Sequence, residues 1–204
     1  MNIRRDICIC MIVLTVLSCS PGESQGQVDP DWLRSWNEAE ETRPEKLTAN
    51  SRISPQDEPG IPFIIHGQIF LPDGRTPAPD VVVHSYHRDH AGYEFGPDDN
   101  SVSTWRLQGW AITDPEGQFE FQTIRPASDH LGREGAHIHF TLVSIDFGRQ
   151  WAPKVHLLDD PLVNDGQLRR SEAVGQFGWV RKVKTINGIQ HIDVNIKLKE
   201  KGDF

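Results

Sequence analysis

Short runs of alternating or β-branched residues, separated by turn sequences, constrain the fold of this chain more than any other feature. Gln118–Ile124 alternates polar and apolar side chains, which is the pattern of a strand with one buried face. Val81–His87 is rich in β-branched residues, and Asn187 with Gly188 suits a type I′ turn before the alternating run Ile189–Leu198. About seven such strands with little helix predict an all-β domain of the β-sandwich type.

The N-terminal residues have the pattern of an export signal. Arg4 and Arg5 precede an apolar run, Ile7–Leu17, which is too short to span a membrane as a helix. Small and apolar residues then lead to Cys19, as in the lipobox before the lipidated cysteine of bacterial lipoproteins. We expect residues 1–18 to be a lipoprotein signal peptide. An ordinary signal, cleaved after a small residue nearby, is the alternative.

The mature protein is accordingly expected outside the cytoplasm, anchored to the bacterial cell envelope through a lipid on Cys19, on its periplasmic or cell-surface side. All three cysteines lie in the signal segment, at Cys8, Cys10 and Cys19. A metal site in the domain must therefore use histidine, tyrosine or carboxylate ligands. The net charge of −8 and the lack of a cluster of basic residues argue against a nucleic-acid partner.

The mature chain divides into two parts. Residues 19–60 are predicted to be a polar tether and a linker, and residues 61–204 to be the β-sandwich domain. The linker contains a candidate short helix over Asp29–Glu41, because Asp29 suits a helix cap and Pro30 suits the first turn.

The candidate functional site is a His-x-His pair inside a short apolar run. Side chains two residues apart project from the same face of a strand, so His137 and His139 point together, while Ile138 and Phe140 face the other way. Two imidazoles aimed at one spot suit a transition metal such as iron, copper or zinc. A polar strand face whose histidines meet water is the alternative.

Several segments resemble, in order, the intradiol ring-cleavage dioxygenase domain. The match covers about residues 61–165, and the order of its segments makes it more specific than the His-x-His pair alone. The matching segments are Gly67 with Leu71–Pro79, Gly109–Pro126, Gly135–Phe140 and Leu157–Leu162.

The resemblance implies a β-sandwich that binds non-haem Fe(3+) through two tyrosines and two histidines. It also implies an oxidoreductase that cleaves a small aromatic diol of the catechol type with O2, and a homodimer is common among such relatives. His137 and His139 match the family's histidine ligands. Tyr93, after Gly92, matches the first tyrosine, although a shift of one residue would place Glu94 there.

The sequence departs from the family where the second tyrosine is expected. Asp129 and His130 stand in that region, so the resemblance implies a metal site of Tyr93, His137 and His139 with His130 or Asp129 as a fourth ligand, or with none. Loss of one tyrosinate weakens the preference for Fe(3+), and two histidines with one carboxylate would suit Fe(2+).

The positions next to the ligands differ as well. Glu134 stands near the place of the family's arginine, with Arg133 beside it, and Lys154 stands near that of its glutamine, with Gln150 close by.

A second interpretation of the same sequence is an exported, non-catalytic binding module that has lost the metal. Residues 67–126 alone also resemble transthyretin-like and carboxypeptidase-regulatory-like domains, which carry neither metal nor catalysis. The convergent imidazoles of His137 and His139, with Gly92 and Tyr93 upstream, favour the dioxygenase, because a purely structural sandwich needs no such pair.

Overall fold

A computed structural model describes residues 28–96 and 103–204. The predicted signal peptide, Cys19 and most of the tether lie outside the described residues. Within the described ranges, no helix is long and apolar enough to cross a membrane. The described helices are α1 (Pro30–Glu41), α2 (Asp165–Ala173) and a short 3-10 helix (Gly175–Phe177). The strands are β1 (Asn50–Arg52), β2 (Pro62–Phe70), β3 (Val82–His87), β4 (Gln108–Ile112), β5 (Gln118–Ile124), β6 (His137–Ser144), β7 (Gly148–Trp151), β8 (Val155–Leu157), β9 (Val180–Arg181), β10 (Lys184–Ile186) and β11 (Ile189–Lys197).

The strands form two sheets that share one hydrophobic core. The first sheet has the order β1-β5-β2-β11-β10, and the second has the order β4-β3-β6-β8-β9, with β7 paired to β6. Alternate residues of each strand enter the core between the sheets, such as Phe63 and Ile65 of β2 and Ile138 and Phe140 of β6. This arrangement confirms the all-β fold that the strand pattern predicted.

The candidate short helix is present as α1, and it covers the outward face of the second sheet. The Asp29 carboxylate accepts a hydrogen bond of 2.9 Å from the amide of Asp31, and Pro30 occupies the first helical position. The buried face of α1 consists largely of Trp36 and Ala39. They form a second apolar cluster with aromatic residues of the sheet and its loops, namely Tyr86, Trp105 and Trp110.

Two further segments join the fold in ways that the strand pattern does not indicate. Residues 50–52 of the predicted linker form β1, which pairs in parallel with β5. Helix α2 begins with a capping box, in which Asn164 and Gln167 each accept a 3.0 Å hydrogen bond from the other's amide. The buried residue of α2 is Ser171, and no apolar side chain of the helix is buried. The sequence of α2 therefore has no clear amphipathic pattern that would predict the helix.

Gly67 allows β2 and β5 to pack where the ring of Phe119 lies over the backbone. A Cβ atom added at Gly67 would lie 2.0 Å from Phe119 Cζ. We therefore expect Gly67→Ala to lower the free energy of unfolding by about 1–3 kcal/mol through overpacking. Chemical denaturation of the purified protein measures this loss.

The Phe119→Leu variant provides the matched control. In the Phe119→Leu background, Gly67→Ala should cost less, because the smaller side chain removes the overlap. An alanine at position 67 that leaves the stability of the otherwise wild-type protein unchanged would contradict the packing described here.

Candidate metal centre and aromatic cavity

The two histidines of β6 converge as their spacing predicts. His137 Nε2 and His139 Nε2 lie 2.8 Å apart, on the face of β6 opposite to the core residue Ile138. His137 Nδ1 lies 2.8 Å from the carbonyl oxygen of Gly135, to which it donates a hydrogen bond. This bond places the proton on Nδ1 and leaves the Nε2 lone pair of His137 directed toward His139.

Glu94 joins the two histidines. One ligand atom from each of Glu94, His137 and His139 lies within 4.8 Å of the others, and they are the only such group of histidine, cysteine or carboxylate side chains among the described residues. The Glu94 Oε1 atom is 3.9 Å from His139 Nε2. The sequence favoured Tyr93 for this position, with Glu94 as the alternative, and the structure brings Glu94 to the histidines.

The donor set fits a metal cation. Burial lowers the pKa of His137 to about 4, and burial with the nearby His137 lowers the pKa of His139 well below its ordinary value. Both imidazoles are therefore neutral near pH 7, with nitrogen lone pairs available, and Glu94 adds a carboxylate oxygen. Neutral imidazole and carboxylate are the ligands that a non-haem transition metal uses.

A network of charges surrounds the three groups. Arg88 lies between two carboxylates, with its Nη2 atom 3.3 Å from Glu94 Oε1 and 3.2 Å from Glu134 Oε2. Lys154 Nζ lies 2.7 Å from Glu134 Oε1. Burial alone would raise the pKa of Glu134, but the hydrogen bond from Lys154 and the neighbouring charges lower it. Arg88 was not identified from the sequence, although it directly follows β3.

Hydrogen bonds within the loop after β3 determine where Glu94 lies. The Asp89 carboxylate accepts hydrogen bonds from the amides of Ala91 and Tyr93, at 2.9 and 3.0 Å. Arg106 donates to the other oxygen of Asp89 at 2.9 Å, and its backbone amide donates to the carbonyl of Glu94. Arg106 therefore holds both Asp89 and Glu94 in place.

The other predicted ligands contact each other. The rings of Tyr93 and His130 stack with centroids 4.5 Å apart. Gly92 has φ +89°, and a Cβ atom there would lie 2.4 Å from the carbonyl oxygen of Ser128, so the two loops approach closely at a glycine. Asp129 accepts a hydrogen bond of 2.9 Å from an amide of its own loop. Neither Asp129 nor His130 belongs to the group of three described above.

An aromatic cavity of about 540 Å³ opens beside Glu94 and His139. Tyr86 stacks on His139 with ring centroids 4.3 Å apart, and burial raises its pKa, so it remains a neutral phenol. Trp32 of α1 donates a hydrogen bond of 3.2 Å from Nε1 to the Tyr86 hydroxyl. Trp32 was not identified from the sequence, although its spacing of four from Trp36 places both on one helix face. The aromatic side chains of the lining are those of Trp32, Tyr86, Phe95, Trp105 and Trp151.

The chain is similar to known dioxygenases in sequence. The family model described as "Dioxygenase" matches residues 38–187. Catechol 1,2-dioxygenase 1 of Acinetobacter lwoffii is 32% identical over 131 residues, which cover 55% of this chain and 41% of that protein. The chain thus spans less than half the length of the curated relatives that it matches.

Solved structures share the fold. Catechol 1,2-dioxygenase from Acinetobacter sp. ADP1 aligns with a TM-score of 0.56 and 22% identity, over 74% of this chain and 57% of that chain. The dioxygenase domain of a dioxygenase and carbohydrate-binding fusion protein from Streptomyces sp. SirexAA-E also gives a TM-score of 0.56, with 15% identity, over 76% of this chain and 91% of that chain. At these identities the similarity establishes a common fold.

His87 makes the stability of this region depend on pH. Its Nδ1 lies 2.6 Å from the carbonyl of Arg88, its Nε2 lies 2.7 Å from the Thr123 hydroxyl, and burial lowers its pKa from 6.5 to about 4. His87 therefore binds a proton more readily in the unfolded chain than in the folded protein. The contribution of His87 to stability is present above pH 6.5 and is lost as the pH falls toward 4. From pH 7 to pH 5 we expect a loss of about 2 kcal/mol from this residue.

Denaturation of His87→Gln at pH 7, 6 and 5 tests this expectation. Glutamine does not titrate, so the variant should lose less stability on acidification than the wild type. His90→Gln is the matched control, because His90 is exposed. Equal pH slopes for His87→Gln and the wild type would show that His87 is not held neutral.

Proposed function

Because this chain belongs to the intradiol ring-cleavage dioxygenase family, we propose that it is a non-haem iron oxidoreductase. In this proposal it uses O2 to cleave a catechol-type ring between the two hydroxyl-bearing carbons. The observation that carries the proposal is the convergence of Glu94, His137 and His139 beside an aromatic cavity.

We infer that His137, His139 and Glu94 would hold the iron. Two imidazoles and one carboxylate are the protein ligands of the non-haem Fe(2+) oxygenases, and this donor set favours Fe(2+) over the Fe(3+) that a tyrosinate such as Tyr93 would favour. Bound iron would supply Lewis acidity toward a diol and redox chemistry toward O2.

The cavity supports a small aromatic diol as the substrate. Its volume of about 540 Å³ lies within the range of small-molecule sites, and its walls are largely aromatic. Trp32 and Trp151, which are partly exposed, offer aromatic surface to a planar ring, whereas Tyr86 is already stacked between Trp105 and His139 and forms part of the wall. Glu94 and His139 line the same cavity, so a ring bound there would have its hydroxyl groups within reach of the proposed metal ligands.

Residues around the ligands keep them in place and in the right protonation state. The Gly135 carbonyl orients His137, and the stacked ring of Tyr86 orients His139. Arg88 provides a positive charge beside Glu94 and is itself held by Glu134. Burial of His137 and His139 keeps them neutral.

Oxygen consumption by the iron-loaded protein tests the proposal. With catechol as the probe, the wild type should consume O2 and form a ring-opened acid, which is followed by absorbance and mass spectrometry. Glu94→Gln should lower iron retention and the rate by more than the roughly 10–100-fold that loss of a supporting residue around a metal typically costs. Glu172→Gln, on the exposed surface of α2, is the matched control and should match the wild type.

Two outcomes would overturn the proposal. A protein that neither retains iron nor consumes O2 with any catechol tested would be a non-catalytic relative. A Glu94→Gln variant with full activity, together with a Tyr93→Phe variant without activity, would show that Tyr93 and not Glu94 is the metal ligand.

We also propose that the protein acts outside the cytoplasm as a lipoprotein. The support is the basic start, the short apolar run and the small residues before Cys19. Cys19→Ser should abolish labelling with a radioactive fatty acid in expressing cells and release the protein from the membrane fraction. Cys10→Ser is the matched control. Labelling that persists in Cys19→Ser would contradict lipidation at this residue.

A further inference from the structure

A pair of histidines lies on the face of the molecule formed by the first sheet, away from the aromatic cavity. His66 of β2 and His191 of β11 project outward from neighbouring parallel strands, because the alternate residues Ile65 and Ile192 are buried in the core. His66 Nε2 lies 3.0 Å from His191 Nδ1, and the two rings are nearly parallel with centroids 5.3 Å apart.

A carboxylate lies behind the first of these histidines. Glu120 of β5 is directly opposite His66 in the sheet, and its Oε2 atom is 3.3 Å from His66 Nδ1. A carboxylate at this distance favours the proton on Nδ1 and leaves the Nε2 lone pair of His66 directed toward His191. Carboxylate, histidine and metal are arranged in this order around many protein-bound metals.

On the other side of His66 lies Asp193. It is directly opposite His66 in the pairing of β2 and β11, and its carboxylate is 2.6 Å from Lys184 Nζ. Because Lys184 already neutralises Asp193, Glu120 is the carboxylate that supplies negative charge to the pair.

We propose that His66 and His191 form a second metal site, which takes a divalent transition ion of the Zn(2+) class, with Glu120 orienting His66. Two nitrogens bound to a tetrahedral zinc ion at ~2.05 Å are about 3.3 Å apart, so the observed 3.0 Å requires only a small outward movement of the rings. The side chain of His66 is 44% exposed, so water can complete the coordination. This site depends on neither Glu94 nor the proposed ring cleavage.

Zinc titration of the purified protein against a chromophoric chelator tests the second site. The wild type should bind one more Zn(2+) per chain than His191→Ala, and His66→Ala should lose the same ion. Glu120→Gln should keep the ion with an affinity that is about 10- to 100-fold weaker. His90→Ala, which removes an exposed histidine elsewhere, should bind zinc like the wild type.

Removing His137 and His139 separates zinc bound at His66 and His191 from zinc bound at the candidate metal centre. A His137→Ala/His139→Ala double variant should still bind one Zn(2+), which His191→Ala then abolishes. If His191→Ala binds as much zinc as the wild type, the proposal is wrong, and the pair only shares a hydrogen bond. Because His191 lies on the outward face of the sheet, this single substitution tests the site even if the double variant does not fold.

Discussion

Strand β6 contributes side chains to the core on one face and to the candidate site on the other, and the position of the site follows from this constraint. Its even-numbered residues Ile138, Phe140 and Leu142 fill the core between the sheets. The period of two then forces His137 and His139 to the opposite face. Because β3 and β8 flank β6 at this point, the two imidazoles sit within the sheet and not at its edge. Burial keeps them neutral, so a strand that stabilises the fold also presents two nitrogen lone pairs.

Aromatic residues between α1 and the second sheet form the walls of a cavity over this face of β6. Helix α1 packs on the second sheet through Trp36, and its neighbouring turn places Trp32 against the Tyr86 hydroxyl. Tyr86 in turn stacks on His139. Phe204 contacts Trp32 and Trp36 and so helps to hold the helix in place. A segment that looks like a linker in the sequence is therefore part of the cavity wall.

The sequence predicted the parts of the site that depend on local geometry. His137 and His139 were predictable because a strand has a fixed period, and α1 because its cap and first proline are local signals. The choice between Tyr93 and Glu94 was not, because the loop is positioned by Asp89 and Arg106, whose contacts arise only in the folded chain. The cavity wall was missed for a similar reason, since Trp32 reaches Tyr86 from 54 residues away. Tyr93 and His130 remain predictions as metal ligands.

The proposed function depends on whether Glu94, His137 and His139 together hold one iron ion. Anomalous X-ray diffraction from crystals of the iron-loaded protein tests it most directly, because the signal locates iron independently of activity. The structure predicts an iron peak at about 2.0–2.2 Å from the Nε2 atoms of both histidines and from a carboxylate oxygen of Glu94. An iron peak bound to Tyr93 and not to Glu94, or no peak at the two histidines, would contradict this account.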